Sequence, residues 1–183
     1  MALRIAARLS ASAPVRFAVL THDLGKAATP SELLPRHHGH EQRSLQLLDA
    51  LCKRLPVPNR FRDLAAHVAR YHGIVHRAAE LRAQTVLDLL IDIGALKHPQ
   101  LLPEVLLACE ADARGRKGLE NRAYPHEERI QQAHRGAAGV DAARLKSETN
   151  LEGEALGRAL RSARLQAVKL AFDAAPRDSA PGH

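Results

Sequence analysis

The densest chemical signal in the sequence is Thr21-His22-Asp23-Leu24-Gly25-Lys26. Adjacent His and Asp at a helix end can put an imidazole nitrogen and a carboxylate oxygen on one divalent ion, a mixed donor set that suits transition metals and Mg or Mn. Lys26 lies one helical turn beyond His22, close enough to meet a phosphate bound to that ion. A lone His-Asp pair would mean little. Its company raises it: Arg36-His37-His38-Gly39-His40-Glu41, then Tyr71-His72-Gly73-Ile74-Val75-His76, then Glu110-Ala111-Asp112-Ala113-Arg114-Gly115-Arg116. The chain holds 11 histidines, eight of them between His22 and His98. Histidine is the usual neutral-pH metal ligand and proton carrier, so such crowding needs an explanation.

The elements that must position these words read as helices. Sustained alternation of apolar and polar residues is absent, and Ala, Leu, Arg and Glu dominate, so the expected fold is all-α. At 183 residues and 20.0 kDa the chain makes one domain, or one with a helical extension. Hydrophobic residues are 45% and charged residues 26%, which excludes a disordered chain. No apolar run approaches the roughly 20 residues of a spanning helix. Residues 1–13 carry an apolar stripe of Leu3, Ile5, Ala6 and Leu9 at near-helical spacing and no continuous segment of the kind a secretory signal needs. They read as a helix that begins abruptly. Pro14 opens a helix to about 24, and residues 25–38 form a loop with Pro30 and Pro35. Further helices are expected over 41–55, over 61–71 up to Gly73, over 84–93, over 100–114 and from Pro125 to 135, with a short helix and loop over 141–150. A final amphipathic helix over 152–172 would bury Leu156, Leu160, Leu165, Val168 and Phe172 and expose Arg158, Arg161, Arg164 and Lys169. The tail over 174–183 is expected to fray.

The net charge of +7 and a pI near 10.0 suggest an anionic partner, nucleic acid being the commonest. With five aromatics (Phe17, Phe61, Tyr71, Tyr124, Phe172) and no basic-aromatic interleaving, the sequence does not offer a base-stacking platform. A positive surface touching phosphates fits better. Cys52 and Cys109 have no metal-type spacing and read as reduced core residues of a cytoplasmic protein.

The words RFAVLTHDLGKAATP (16–30), LLPRHHGHE (33–41), LPVPNRFRDLA (55–65) and EADARGRKGLEN (110–121) resemble, in this order, the HD superfamily of metal-dependent phosphohydrolases. Within it they are similar to the HD domain in the C-terminal half of bacterial CCA-adding enzymes. The likeness covers about residues 2–125 and, more weakly, GEALGRALRSARLQAV (153–168). It implies an HD helical bundle over residues 1–117, a helical extension over 118–173 and a flexible tail over 174–183. It makes His22 and Asp23 metal ligands and Asp112 the distal carboxylate ligand. His40 and His72 would flank the site and hold a phosphate, a water or a second metal. Lys26 would stabilise charge on the phosphoryl oxygens. Arg36, Arg114 and Arg116 become candidates for phosphate or RNA contact, although a basic run such as Arg114, Arg116 and Lys117 is as readily a solvated face. His37 and His38 are as readily surface as functional. His67 and His76 read as surface or packing residues, and His98, His126, His134 and His183 have no claim.

The activity implied is hydrolysis of 2′,3′-cyclic phosphodiesters, 2′-nucleotides and simple phosphate esters, supported by Mg or Ni. Two departures matter. HD sites usually begin with a further His on the preceding helix, yet no histidine precedes His22, so the first ligand is expected to fall outside this chain and metal affinity to be weakened. The paired aspartates of the nucleotidyltransferase domain are also missing, since the chain has no Asp-x-Asp. CCA addition is therefore not expected of it alone. The implied partners are tRNA or phosphate-ester nucleotides, that absent N-terminal domain and, as one option, a second copy of the chain; a membrane is not among them. The alternatives are a catalytically silent tRNA-binding or dimerisation segment, and an HD hydrolase of a small nucleotide.

Overall fold

Breakers and burial together set the helix boundaries. The computed structural model describes residues 1–174, and within them the chain is all-α. In order come α1 (Ala2–Arg8), α2 (Ala13–Thr21), α3 (His40–Arg54), α4 (Asn59–Val75), α5 (Ala83–Ile93), α6 (Leu101–Arg114), α7 (His126–Ala138), α8 (Ala142–Thr149) and α9 (Gly153–Ala174). Three 3-10 turns, Leu24–Lys26, Ser31–Leu33 and Ala78–Glu80, link them. Pro14 occupies the first turn of α2, where its missing N–H costs nothing. Asp141 caps α8, its carboxylate accepting from the Ala143 and Arg144 amides at 2.9 and 3.0 Å. The expected frayed tail lies, but for its first residue, outside the described residues. No helix among them is long and apolar enough to cross a membrane.

One boundary departs from expectation in a way that matters. Gly73 was expected to end its helix, but α4 runs on to Val75. A helical glycine costs about 1 kcal/mol relative to alanine. Burying a valine side chain returns about 1.5–3 kcal/mol, and Val75 is fully buried. Packing outweighs propensity, and His72 and His76 end up one turn apart on the same face.

The chain divides into two compact units. The first is Met1–Arg77 with His98–His126. Its centre is α2 against α4, with α6 packed on both, α1 on α2 and α6, and α3 laid along α4. Val15, Val19, Leu64, Val68, Val105 and Leu106 fill that core, and the fully buried Ala6, Ala18, Ala65, Ala69 and Ala108 let the helices approach closely. Cys109 lies inside it as a free thiol whose pKa burial pushes up, and Cys52 is a free thiol as well.

The second unit takes Ala78–Lys97 together with the described residues from Glu127 onward. Here α5 packs on α9. The expected inner face of α9 is shallower than its pattern suggests: Val168 is fully buried, whereas Leu156, Leu160, Leu165 and Phe172 are half-buried. Arg164, expected outside, is half-buried too. Gly136 of α7 lies so close to α9 that a Cβ would stand 2.9 Å from the Ala167 carbonyl oxygen.

Candidate metal centre

The site is built in the first unit where α2 stops. Thr21 ends the helix, His22 keeps helical dihedrals as its cap, and Asp23 turns out of it at φ −104° and ψ 11°. The following turn is pressed onto α3. The Gly25 amide donates to Ser44 Oγ at 2.8 Å, and Ser44 is fully buried. A Cβ on Gly25 would stand 2.1 Å from the His40 carbonyl oxygen, so only glycine fits. Arg43 holds the rest of the loop, donating from Nε to the Gly25 carbonyl (3.2 Å), from Nη1 to the His38 carbonyl (2.9 Å) and from Nη2 to Thr29 Oγ1 (3.3 Å).

Three imidazoles face the turn in the same manner. His22 Nδ1 contacts the Val19 carbonyl at 2.9 Å, His40 Nδ1 the His37 carbonyl at 3.0 Å, and His72 Nδ1 the Val68 carbonyl at 3.0 Å. A carbonyl only accepts, so each Nδ1 carries the proton and each Nε2 faces inward. These Nε2 atoms gather around Asp23. His22 Nε2 lies 3.3 Å from its Oδ2, and His40 and His72 Nε2 lie 3.4 and 3.6 Å from its Oδ1. His40 and His72 meet Nε2 to Nε2 at 3.3 Å. From α6, Asp112 brings Oδ1 to 3.4 Å from His22 Nε2. Lys26 Nζ sits 2.7 Å from Asp23 Oδ2.

Two buried atoms here have no hydrogen-bond partner, His22 Nε2 and Asp23 Oδ1. They are close to complementary groups but not aligned with them. Uncompensated buried donors and acceptors are rare and expensive. The charges agree. Burial by itself would lower the His22 pKa, but contact with Asp112 and Asp23 outweighs it and raises the value to about 10. Burial opposes ionisation of both aspartates, yet His22 and Lys26 hold Asp23, and His22 and His76 hold Asp112, well below the usual carboxylate range. The cluster attracts positive charge at its centre.

The HD domain family matches residues 1–116. The chain belongs to this family. It is also 53% identical over 169 residues to a protein from Thioalkalivibrio sulfidiphilus named "Multifunctional CCA protein", covering 92% of this chain and 41% of that relative. A protein of the same name from Methylococcus capsulatus is 55% identical over 170 residues, covering 92% and 40%. The chain thus spans about two fifths of the length of these relatives. No solved structure matches it significantly.

HD domains hold divalent metals, and the residues present fit one. A donor atom from each of His22, Asp23 and His72 lies within 4.8 Å of the other two, and the two partnerless atoms belong to this group. Mixed imidazole and carboxylate donors suit transition metals and Mg or Mn. The carbonyl partners of the Nδ1 atoms supply the outer support that ligating histidines usually have.

Of the residues singled out from sequence, the HD domain brings together His22, Asp23, Lys26, His40, His72 and Asp112. It does not bring in Arg36 or Arg116, which are exposed in the loop before α3 and just past α6. Arg114 already donates to Glu110 Oε1 at 2.6 Å and to the Glu120 carbonyl at 3.0 Å. His37, whose Nδ1 lies 2.7 Å from Thr29 Oγ1, and His38 line an open polar recess beside His40.

Sequence reasoning missed two contributors. His76, expected at the surface or in packing, places Nε2 2.9 Å from Asp112 Oδ2. Tyr124 places its hydroxyl 3.0 Å from His76 Nδ1. The spacing His72-x-x-x-His76 could have signalled the first, had the helix been carried through Gly73. The second contact joins residues 48 apart, and no local pattern announces it.

Proposed function

We propose that this HD domain is a metal-dependent phosphohydrolase module, acting on 2′,3′-cyclic phosphodiesters, 2′-nucleotides and simple phosphate esters. The observation that carries the reading is the convergence of three Nε2 atoms on Asp23, each with its Nδ1 tied to a backbone carbonyl.

His22, Asp23 and Asp112 would hold the ion, Mg or Ni in the first instance and Mn as a further fit to the donor set. When bound, a divalent ion draws charge from the phosphoryl oxygens and lowers the pKa of the attacking water. The chain's own side chains do the rest. Burial lowers the His72 pKa, which favours the neutral ring, and its inward Nε2 can accept a proton. His40, mounted the same way at the start of α3, orients the reacting water or phosphate. Lys26, held at the rim by Asp23, offers its ammonium to charge developing on the phosphoryl oxygens. Arg36 and Arg116 would contact phosphate or RNA at the periphery. Arg114 is the weakest of these candidates, because Glu110 and the Glu120 carbonyl already occupy it.

The relatives' name and the greater length of their chains support a place in a CCA-adding enzyme acting on tRNA, with a nucleotidyltransferase domain as covalent partner and a cytoplasmic setting. In that arrangement residues 1–117 would be the hydrolase and 118–173 a helical extension, and a second copy of the chain remains a candidate partner.

The test is turnover of a chromogenic phosphate ester and of a 2′,3′-cyclic nucleotide with Mg, Ni and Mn. Asp23→Ala should abolish it, and unchanged turnover in that variant would contradict the mechanism. A wild-type chain that turns over neither substrate and takes up no metal would favour a silent RNA-binding segment.

A further inference from the structure

Asp112 contacts His22 with one carboxylate oxygen and leaves the other for a residue that no ligand set requires. We propose that His76, backed by Tyr124, is a positioning residue that fixes the orientation of the Asp112 carboxylate. This rests on the reading of the centre as a metal site.

The contacts form a line. Asp112 Oδ1 is 3.4 Å from His22 Nε2, Asp112 Oδ2 is 2.9 Å from His76 Nε2, and His76 Nδ1 is 3.0 Å from the Tyr124 hydroxyl. The terminal torsion of an aspartate is broad, so a carboxylate held at one oxygen turns readily about it. A donor on Oδ2 removes that freedom and leaves Oδ1 facing the centre. Ionised carboxylate oxygens only accept, so His76 Nε2 carries the proton donated to Asp112. The Tyr124 hydroxyl, 3.0 Å from Nδ1 on the far edge of the ring, fixes the plane in which that N–H is offered.

The mounting suits this role. His76 caps α4 one turn past His72, so one helix end supplies both an inward Nε2 and the residue that orients the carboxylate opposite. Tyr124 belongs to the segment after α6. Arg114 fastens that segment by donating to the Glu120 carbonyl, which gives this arginine a structural task beside Asp112. Outer partners of this kind typically contribute 10- to 100-fold to metal affinity.

The experiment is Mn titration by calorimetry of the full chain and its variants, with imidazole nitrogen NMR of the metal-free protein. His76→Leu removes the donor and is expected to weaken Mn binding by about 10- to 100-fold. His76→Gln keeps an N–H donor and should recover most of the loss. Tyr124→Phe should cost less, and adding it to His76→Leu should cost nothing more. In the NMR arm, the His76 Nε2–H should show the downfield shift of a proton donated to a carboxylate in the wild type and lose it in Asp112→Ala. This arm stands even if His76→Leu does not fold. Wild-type Mn affinity in His76→Leu, an equal loss in His76→Gln, or an Nε2–H signal unchanged in Asp112→Ala would each overturn the proposal. If the wild-type chain takes up no Mn, the metal reading fails with it, whereas intact wild-type binding with an indifferent His76→Leu removes the positioning role alone.

Discussion

The two units differ in where their polar groups gather. In the second, surface charges pair along the helices, as in Arg144 with Glu148, Arg158 with Glu154, and Arg161 with Asp88 across to α5. Among its described residues, the buried atoms without a hydrogen-bond partner, Nε of Arg129 and of Arg164, are single N–H donors on different helices. His134 simply reaches the Ala95 carbonyl at 3.1 Å. In the first unit, three imidazoles and two carboxylates crowd one point, and two of their buried atoms lack any hydrogen-bond partner. Paired surface charges contribute little to stability and ask for nothing further. A buried excess of electron-pair donors is expensive unless something positive completes it. The contrast separates a region that supports a fold from one arranged for chemistry.

The sharpest way to break this contrast is Asp23→Ala, which removes the carboxylate that His22, His40 and His72 share. Phosphatase turnover should fall to background; retained turnover would show that the cluster is not the reacting centre. Gly25→Ala should come next. Its Cβ would collide with the His40 backbone, so chemical denaturation should show a loss of about 1–3 kcal/mol together with weakened metal uptake.

A proton-linked effect follows in size. In the metal-free protein His22 has a pKa raised to about 10, so it is charged at neutral pH and a metal must displace its proton from Nε2. Metal affinity should therefore rise with pH over the range below about 10, and calorimetry in buffers of different ionisation enthalpy should record proton release near pH 7. The same shift bears on folding without metal. Its stabilising contribution is complete below the reference pKa of 6.5 and is lost as pH rises through about 10. Metal-free protein should lose stability across that window, and His22→Asn should flatten the loss.

The smallest effect belongs to the other unit. Arg158→Ala breaks an exposed pair on α9 and should change stability by about 0–1 kcal/mol while leaving turnover in place. A large effect there would blur the distinction between the two regions.

Much of the centre was legible in the sequence because its residues sit in compact words. His22, Asp23 and Lys26 fall within five positions, and His40 and Asp112 stand in words that a family resemblance could assign. What failed was local reasoning where packing decided the outcome. Gly73 looks like a helix stop, and only the burial of Val75 shows why α4 continues and delivers His76. Ser44 and Arg43 read as ordinary helix residues, since their task, clamping the Gly25 turn, depends on a contact between α3 and a segment nearly twenty positions earlier. The grouping of Ala78–Lys97 with the residues after Glu127 was equally hidden, because the amphipathic pattern of α5 says that it buries a face but not which helix covers it.

The central claim is that the cluster around Asp23 holds a divalent ion. Equilibrium dialysis of the purified chain against Ni or Mn, followed by elemental analysis, tests it directly. The account predicts close to one metal per wild-type chain and almost none in Asp23→Ala. An empty wild-type protein, or equal metal in both, would contradict it.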